Sequence, residues 1–144
     1  MRPLAICLLL AAVAAPCWPA DESLDQLKAR ADHASAEECP SLCIQVAQYQ
    51  IRSADRLYTD GNVEQARAAV ADIVTYSQKA SNAARESRRH LKNVEIAVRK
   101  MSEKLKDIKR TLSFEDQAPV DEAIQHLEDI RTALLKEMFR KEKK

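Results

Sequence analysis

The sequence predicts an all-α protein in which antiparallel helical hairpins extend along one long, central, coiled-coil-like helix. Three observations carry that expectation. Glycine occurs once, at Gly61, and aromatic residues make up 4% of the chain, so the residues that build sheets and phosphate-cradling loops are scarce. Ala, Glu, Lys, Arg and Leu dominate instead, a composition that favours long helices. Finally, core-type residues recur at alternating steps of three and four: Val63, Ala66, Val70, Ile73, Ser77, Ala80, Ala84, Ser87, Leu91, Val94, Val98, Met101, Leu105, Ile108 and Leu112. Seven heptads free of proline and glycine form a coiled-coil seam.

The elements follow in order. Residues 1–20, "MRPLAICLLLAAVAAPCWPA", have a basic start at Arg2, an apolar run and then small residues and prolines. This is the pattern of a secretory signal peptide rather than a membrane span, and it leaves residues 21–144 as a single helical domain with no transmembrane segment. A first helix is expected over about 22–35, on Leu24, Leu27, Ala31 and Ala34. A second, over 41–59, has an apolar face of Ile44, Ala47, Ile51, Ala54 and Tyr58, widened by Cys43, Val46 and Leu57. The long helix is expected over 62–112, roughly 75 Å at 1.5 Å per residue, with Gly61 turning the chain into it and a break near Ser81-Asn82 as the alternative. The last, over 119–140, carries Val120, Ala123, Leu127, Ile130, Leu134 and Met138 and opens with Pro119 at its first turn.

Short connections make consecutive helices antiparallel neighbours. The second and fourth helices therefore fold back on opposite ends of the long one and run out near its middle. There the seam turns small, at Ser77, Ala80, Ala84 and Ser87. That middle section is expected either to pack against the first helix or to receive another chain, by self-association or as a protein partner.

Charge is uneven. From Arg85 to Arg110 there are ten basic and four acidic residues, whereas from Asp21 to Asp60 there are four basic and eight acidic. Either the acidic helices neutralise the basic one on folding or both are solvated faces, or Arg85, Arg88, Arg89 and Lys92 offer a basic face beside the small-residue segment, suited to an anionic component of the cell envelope. Nucleic acid is a poorer match, because aromatic residues are not interleaved with the cations.

The remaining chemistry is concentrated in "ECPSLC", Glu38–Cys43. Pro40 at the start of a helix makes Cys39 the expected N-cap and puts Cys43 one turn inside, where the helix dipole stabilises a thiolate. An exported protein oxidises such a pair to a local disulfide, which closes a ring worth roughly 2 kcal/mol by loop entropy. An intermolecular bridge and a thiol-based metal or redox pair are the other readings. His33, His90 and His126 fall on separate segments without metal-ligand spacing, so no metal or cofactor is expected. No serine lies in a nucleophile context, and carboxylates are spread over helix surfaces rather than paired for acid–base work. The chain is read as a non-enzyme.

Three stretches resemble known families. The run "ADRLYTDGNVEQARAAV", Ala54–Val70, resembles the inner turn of a tetratricopeptide repeat at Leu57, Gly61, Ala66 and Val70. It implies a helix-turn-helix over about residues 46–76 that binds a protein partner. It lacks the closing proline, and no second copy follows in the sequence. "DIKRTLSFEDQAPV" resembles exported bacterial helical proteins of no assigned activity, a likeness that carries no function. "CPSLC" resembles the CPxxC pattern of copper-delivery proteins with a thioredoxin fold at Cys39, Pro40 and Cys43, but those proteins add a histidine and a sheet.

The expectation is an exported, periplasmic or secreted, non-catalytic interaction module. Its alternative is a thiol-based metal or redox carrier working through Cys39 and Cys43.

Overall fold

The computed structural model describes residues 22–140; the expected signal segment, 1–20, lies outside the described residues, as do residues 141–144. Among the described residues the chain forms five α-helices and no strand: α1 (Leu24–Asp32), α2 (Cys39–Thr59), α3 (Val63–Ser87), α4 (Leu91–Arg110) and α5 (Phe114–Met138). The all-α class and the packing of helix on helix agree with the sequence expectation.

Local chemistry sets most of the boundaries. Ser23 and Gln26 form a capping box at α1: Gln26 N donates to Ser23 Oγ and Ser23 N to Gln26 Oε1, satisfying two amides that a helix start leaves free. α2 is closed just beyond its last residue by Gly61, which adopts φ +80. There Asn62 N donates to Leu57 O and Gly61 N to Tyr58 O, the paired bonds of a Schellman motif.

Two expectations are corrected. The helix over 62–112 is not continuous, and its break is not at Ser81-Asn82. It stops at Ser87, turns through Arg88, Arg89 and His90, and restarts at Leu91, with Arg88 at φ 53 and His90 at φ 63. The seam hid this turn, because Ser87 to Leu91 is a step of four whether the chain runs on or reverses. Reversal brings the apolar face of α4, Val94, Val98, Met101, Leu105 and Ile108, into the core. That burial offsets two left-handed residues costing about 1–2 kcal/mol each. The last helix starts five residues before Pro119, at Phe114 after Ser113. Glu115 and Asp116 in its first turn complement the helix dipole there, and Gln117 Nε2 caps the Leu112 carbonyl.

The helices stack in three layers. α2 and α3 form one antiparallel hairpin, with Gln50 of α2 bonded to Asp72 of α3. α4 and α5 form the second, crossed by Ser102–Glu128, Lys109–Asp121 and Glu95–Arg131. The hairpins lie on one another in parallel register, α2 beside α4 through Asp55–Lys104 and α3 beside α5 through Arg67–Asp116. α1 covers the other side of the first hairpin, held by Lys28–Asp72 and by Asp32 with Tyr76 and Lys79.

Burial reveals a repeat. Cys43, Val46, Ala47, Gln50, Ile51 and Ala54 of α2 are all buried, and so are the α4 residues 51 positions on, Val94, Ala97, Val98, Met101, Ser102 and Leu105. Likewise Val70, Ile73, Ser77, Ala80 and Ala84 of α3 are matched 50 positions on by Val120, Ala123, Leu127, Ile130 and Leu134 of α5. With α3 and α5 in parallel register, small residues on one stand level with Leu127, Ile130 and Leu134 on the other, which sets small against large across the layer.

Candidate functional site

One end of the molecule collects most of the chemistry anticipated from the sequence. The α1–α2 turn, the N-terminus of α2, the α3–α4 turn and the C-terminus of α5 meet there. Arg89 reaches Glu37 at 3.2 Å across two of these segments, and Arg85 shares a hollow with Lys136 and Arg140.

Cys39 is the first residue of α2 rather than its cap, Glu38 holding the cap position without a side-chain hydrogen bond. The helix extends back because the Glu38 and Cys39 amides both donate to Ser35 O, at 3.1 and 2.8 Å. The two sulfurs face each other at 2.9 Å, both as free thiols. Cys43 is fully enclosed and Cys39 partly exposed, and burial drives the Cys43 thiol well above the usual thiol range. Cys39 Sγ also lies 3.9 Å from the Lys79 carbonyl oxygen.

Next to the thiols runs a polar strap from α1. Asp32 accepts from Lys79 at 2.7 Å and from the Tyr76 hydroxyl at 3.2 Å, and the Lys79 ammonium stands 4.8 Å from the centroid of the Tyr76 ring. The Lys79 hydrogen bond holds the Asp32 carboxyl below its ordinary value. Burial, with Asp32 close by, pushes Tyr76 up to about 12. No periodicity in the sequence announces this strap, since α1 is placed by tertiary contact.

The expected interaction surface divides. Ser77, Ala80 and Ala84 are fully enclosed in the core, so the small-residue seam is covered within the molecule instead of waiting for another chain. Ser87 is half-buried, its hydroxyl donating to Ala83 O. Arg85, Arg88, Arg89 and Lys92 are exposed. Among the described residues Arg89 pairs with Glu37, and Arg85, Arg88 and Lys92 form no ion pair with a carboxylate. His33, His90 and His126 are exposed on separate segments, and no cluster of three His, Cys, Asp or Glu residues able to hold a metal ion occurs among the described residues.

The sequence reading missed a groove between the parallel helices α2 and α4. Its first part, about 340 Å³, lies between Pro40, Ile44 and Gln48 on one side and His90, Asn93 and Val94 on the other. Its second, also about 340 Å³, continues from Gln48 past Ile51 and Arg52 opposite Ala97, Lys100, Met101 and Lys104. Ile44, Ile51, Val94 and Met101 make an apolar floor; Arg52, Lys100 and Lys104 line one end, and no carboxylate lines either part. Lys104 is engaged by Asp55 at 2.8 Å, while Arg52 and Lys100 have no carboxylate partner among the described residues. The signal for the groove was the recurrence of the α2 pattern 51 residues on, which puts Arg52 and Lys100 along one seam.

No helix among the described residues is long and apolar enough to cross a membrane. Compared with family models, curated proteins and solved structures, the chain matches none of them.

Proposed function

We propose that this protein is an exported, non-catalytic helical interaction module that holds an acidic partner, a protein segment or an anionic polymer of the cell envelope. The observation that carries the reading is the α2–α4 groove, with its apolar floor and with Arg52 and Lys100 at its rim unmatched by any lining carboxylate. A partner laid along it covers the part-exposed Ile44 on the groove's apolar floor and sets its own carboxylates against the cations. The exposed Arg85, Arg88 and Lys92 extend positive charge from the α3–α4 turn. Export rests on the residue pattern of positions 1–20.

Such binding gains rate and register from charge complementarity and weakens with salt. Labelled poly-L-glutamate is a suitable probe, with a neutral polymer of similar length as control. Binding is expected for the polyanion alone, falling as salt rises, and Arg52→Glu with Lys100→Glu is expected to weaken it about tenfold or more. Equal binding by that double variant would remove the groove from the proposal. Absence of polyanion binding at low salt would end the reading.

A further inference from the structure

The thiol pair carries an inference that stands apart from the groove. We propose that Cys39 and Cys43 form a thiol–disulfide exchange site for a small-molecule disulfide such as glutathione disulfide, with Cys39 as the attacking sulfur and Cys43 as the resolving one.

The geometry assigns both roles. The sulfurs are one helical turn apart and 2.9 Å from each other, inside ordinary sulfur–sulfur contact, so a bond of about 2.05 Å needs a shift of under about 1 Å. Cys39 occupies the first position of a 21-residue helix, and it keeps partial exposure. The Lys79 ammonium is turned to Asp32, and what Lys79 offers Cys39 is its carbonyl. Cys43 is enclosed, with 0% of its surface exposed. An incoming disulfide therefore meets Cys39 first, and Cys43 is reached only through Cys39.

The exchange balances as follows. The Cys39 thiolate attacks one sulfur of glutathione disulfide; that S–S bond breaks, a mixed disulfide forms on Cys39, and one glutathione leaves as thiolate and takes a proton. Cys43 then attacks Cys39 Sγ, which breaks the mixed disulfide; the second glutathione leaves as thiolate and takes up the proton that Cys43 gives up. Two protein thiols are oxidised and one glutathione disulfide is reduced. Because the closed ring spans one helical turn, it removes little chain entropy from the unfolded state. Such a bond is held weakly enough to be returned to an incoming dithiol in the reverse sequence.

The test uses the full chain, reduced, placed in glutathione redox buffers and quenched by alkylation. Trypsin should release residues 31–52 as one peptide, containing Cys39 and Cys43 but not Cys7 or Cys17. In the wild type that peptide should escape alkylation, two hydrogens lighter than the unlabelled dithiol, and become doubly alkylated again after reducing buffer. Cys43→Ala should accumulate glutathione on Cys39, at least about tenfold faster than Cys39→Ala accumulates it on Cys43. Circular dichroism confirms that each variant is folded. For a variant that is not, fragmentation of the transient adduct in the wild type locates the first sulfur instead. A peptide that stays as the dithiol in oxidising buffer, or an adduct that forms first on Cys43, would overturn the proposal.

Discussion

At Ala80 the methyl group is fully enclosed on the face of α3 that stands level with Ile130 of α5, so a larger side chain has nowhere to go. Leu in its place overpacks the layer and is expected to lower stability by about 1–3 kcal/mol, read as a lower midpoint in urea at unchanged slope. Native mass should stay as it was. A changed oligomeric state with unchanged stability would instead restore Ala80 to a surface between chains, the role its small size suggested in the sequence. Small residues in a seam admit two meanings, a free contact face or a recess for a neighbour. Only what encloses the seam decides between them, and that is set by helices distant from it in the sequence. Arg85, Arg88, Arg89 and Lys92 were legible as exposed because charge alone keeps them in water. The closeness of Cys39 to Cys43 was legible too, since helical spacing brings residues four apart together.

Helix identity and periodicity were legible over nearly the whole chain, and the reversal at 88–90 was not. A helix normally reverses with glycine at its end, whereas here Arg88 and His90 take the left-handed positions themselves. No sequence cue marks them, and the step of four across the turn preserves the seam. α5 shows the opposite failure, since the available cues, Ser113 with two acids after it, were outweighed by the usual place of proline in a first helical turn. The turn makes a prediction whose sign separates the two architectures. With φ 53 at position 88 and φ 63 at position 90, Arg88→Gly and His90→Gly relieve left-handed strain, and each should raise stability by about 1 kcal/mol. In one continuous helix the same changes would lower stability by about that amount, because glycine is a poor interior helix residue. Urea midpoints of the two variants give the answer directly, and a fall in both would return the molecule to an extended rod.

Over the whole molecule, the two hairpins share their interfaces along full helices, α2 on α4 and α3 on α5, and Leu105, Leu127 and Leu134 are fully buried among them. Neither hairpin buries its apolar face alone, so the four longer helices should open as one cooperative unit. α1 stands differently. It is nine residues long and buries Leu27 and Ala31, too short to be stable by itself in water, and polar contacts do much of its anchoring: Lys28 to Asp72, and Asp32 to Lys79 and Tyr76. Ion pairs with this degree of exposure contribute about 0–1 kcal/mol each. The outer layer should therefore detach well before the four-helix unit unfolds. Hydrogen exchange followed by mass spectrometry should find the α1 amides exchanging first, with protection in α3, α4 and α5 near the global limit. Lys79→Ala, which removes the ion pair to Asp32 and leaves its Tyr76 hydrogen bond, should speed exchange in α1 about threefold to tenfold and leave α4 and α5 unchanged. If α1 instead exchanges together with α4 and α5, and Lys79→Ala shifts all of them equally, the apolar contacts of Leu27 and Ala31 make α1 part of the cooperative core, and the strap only trims its register.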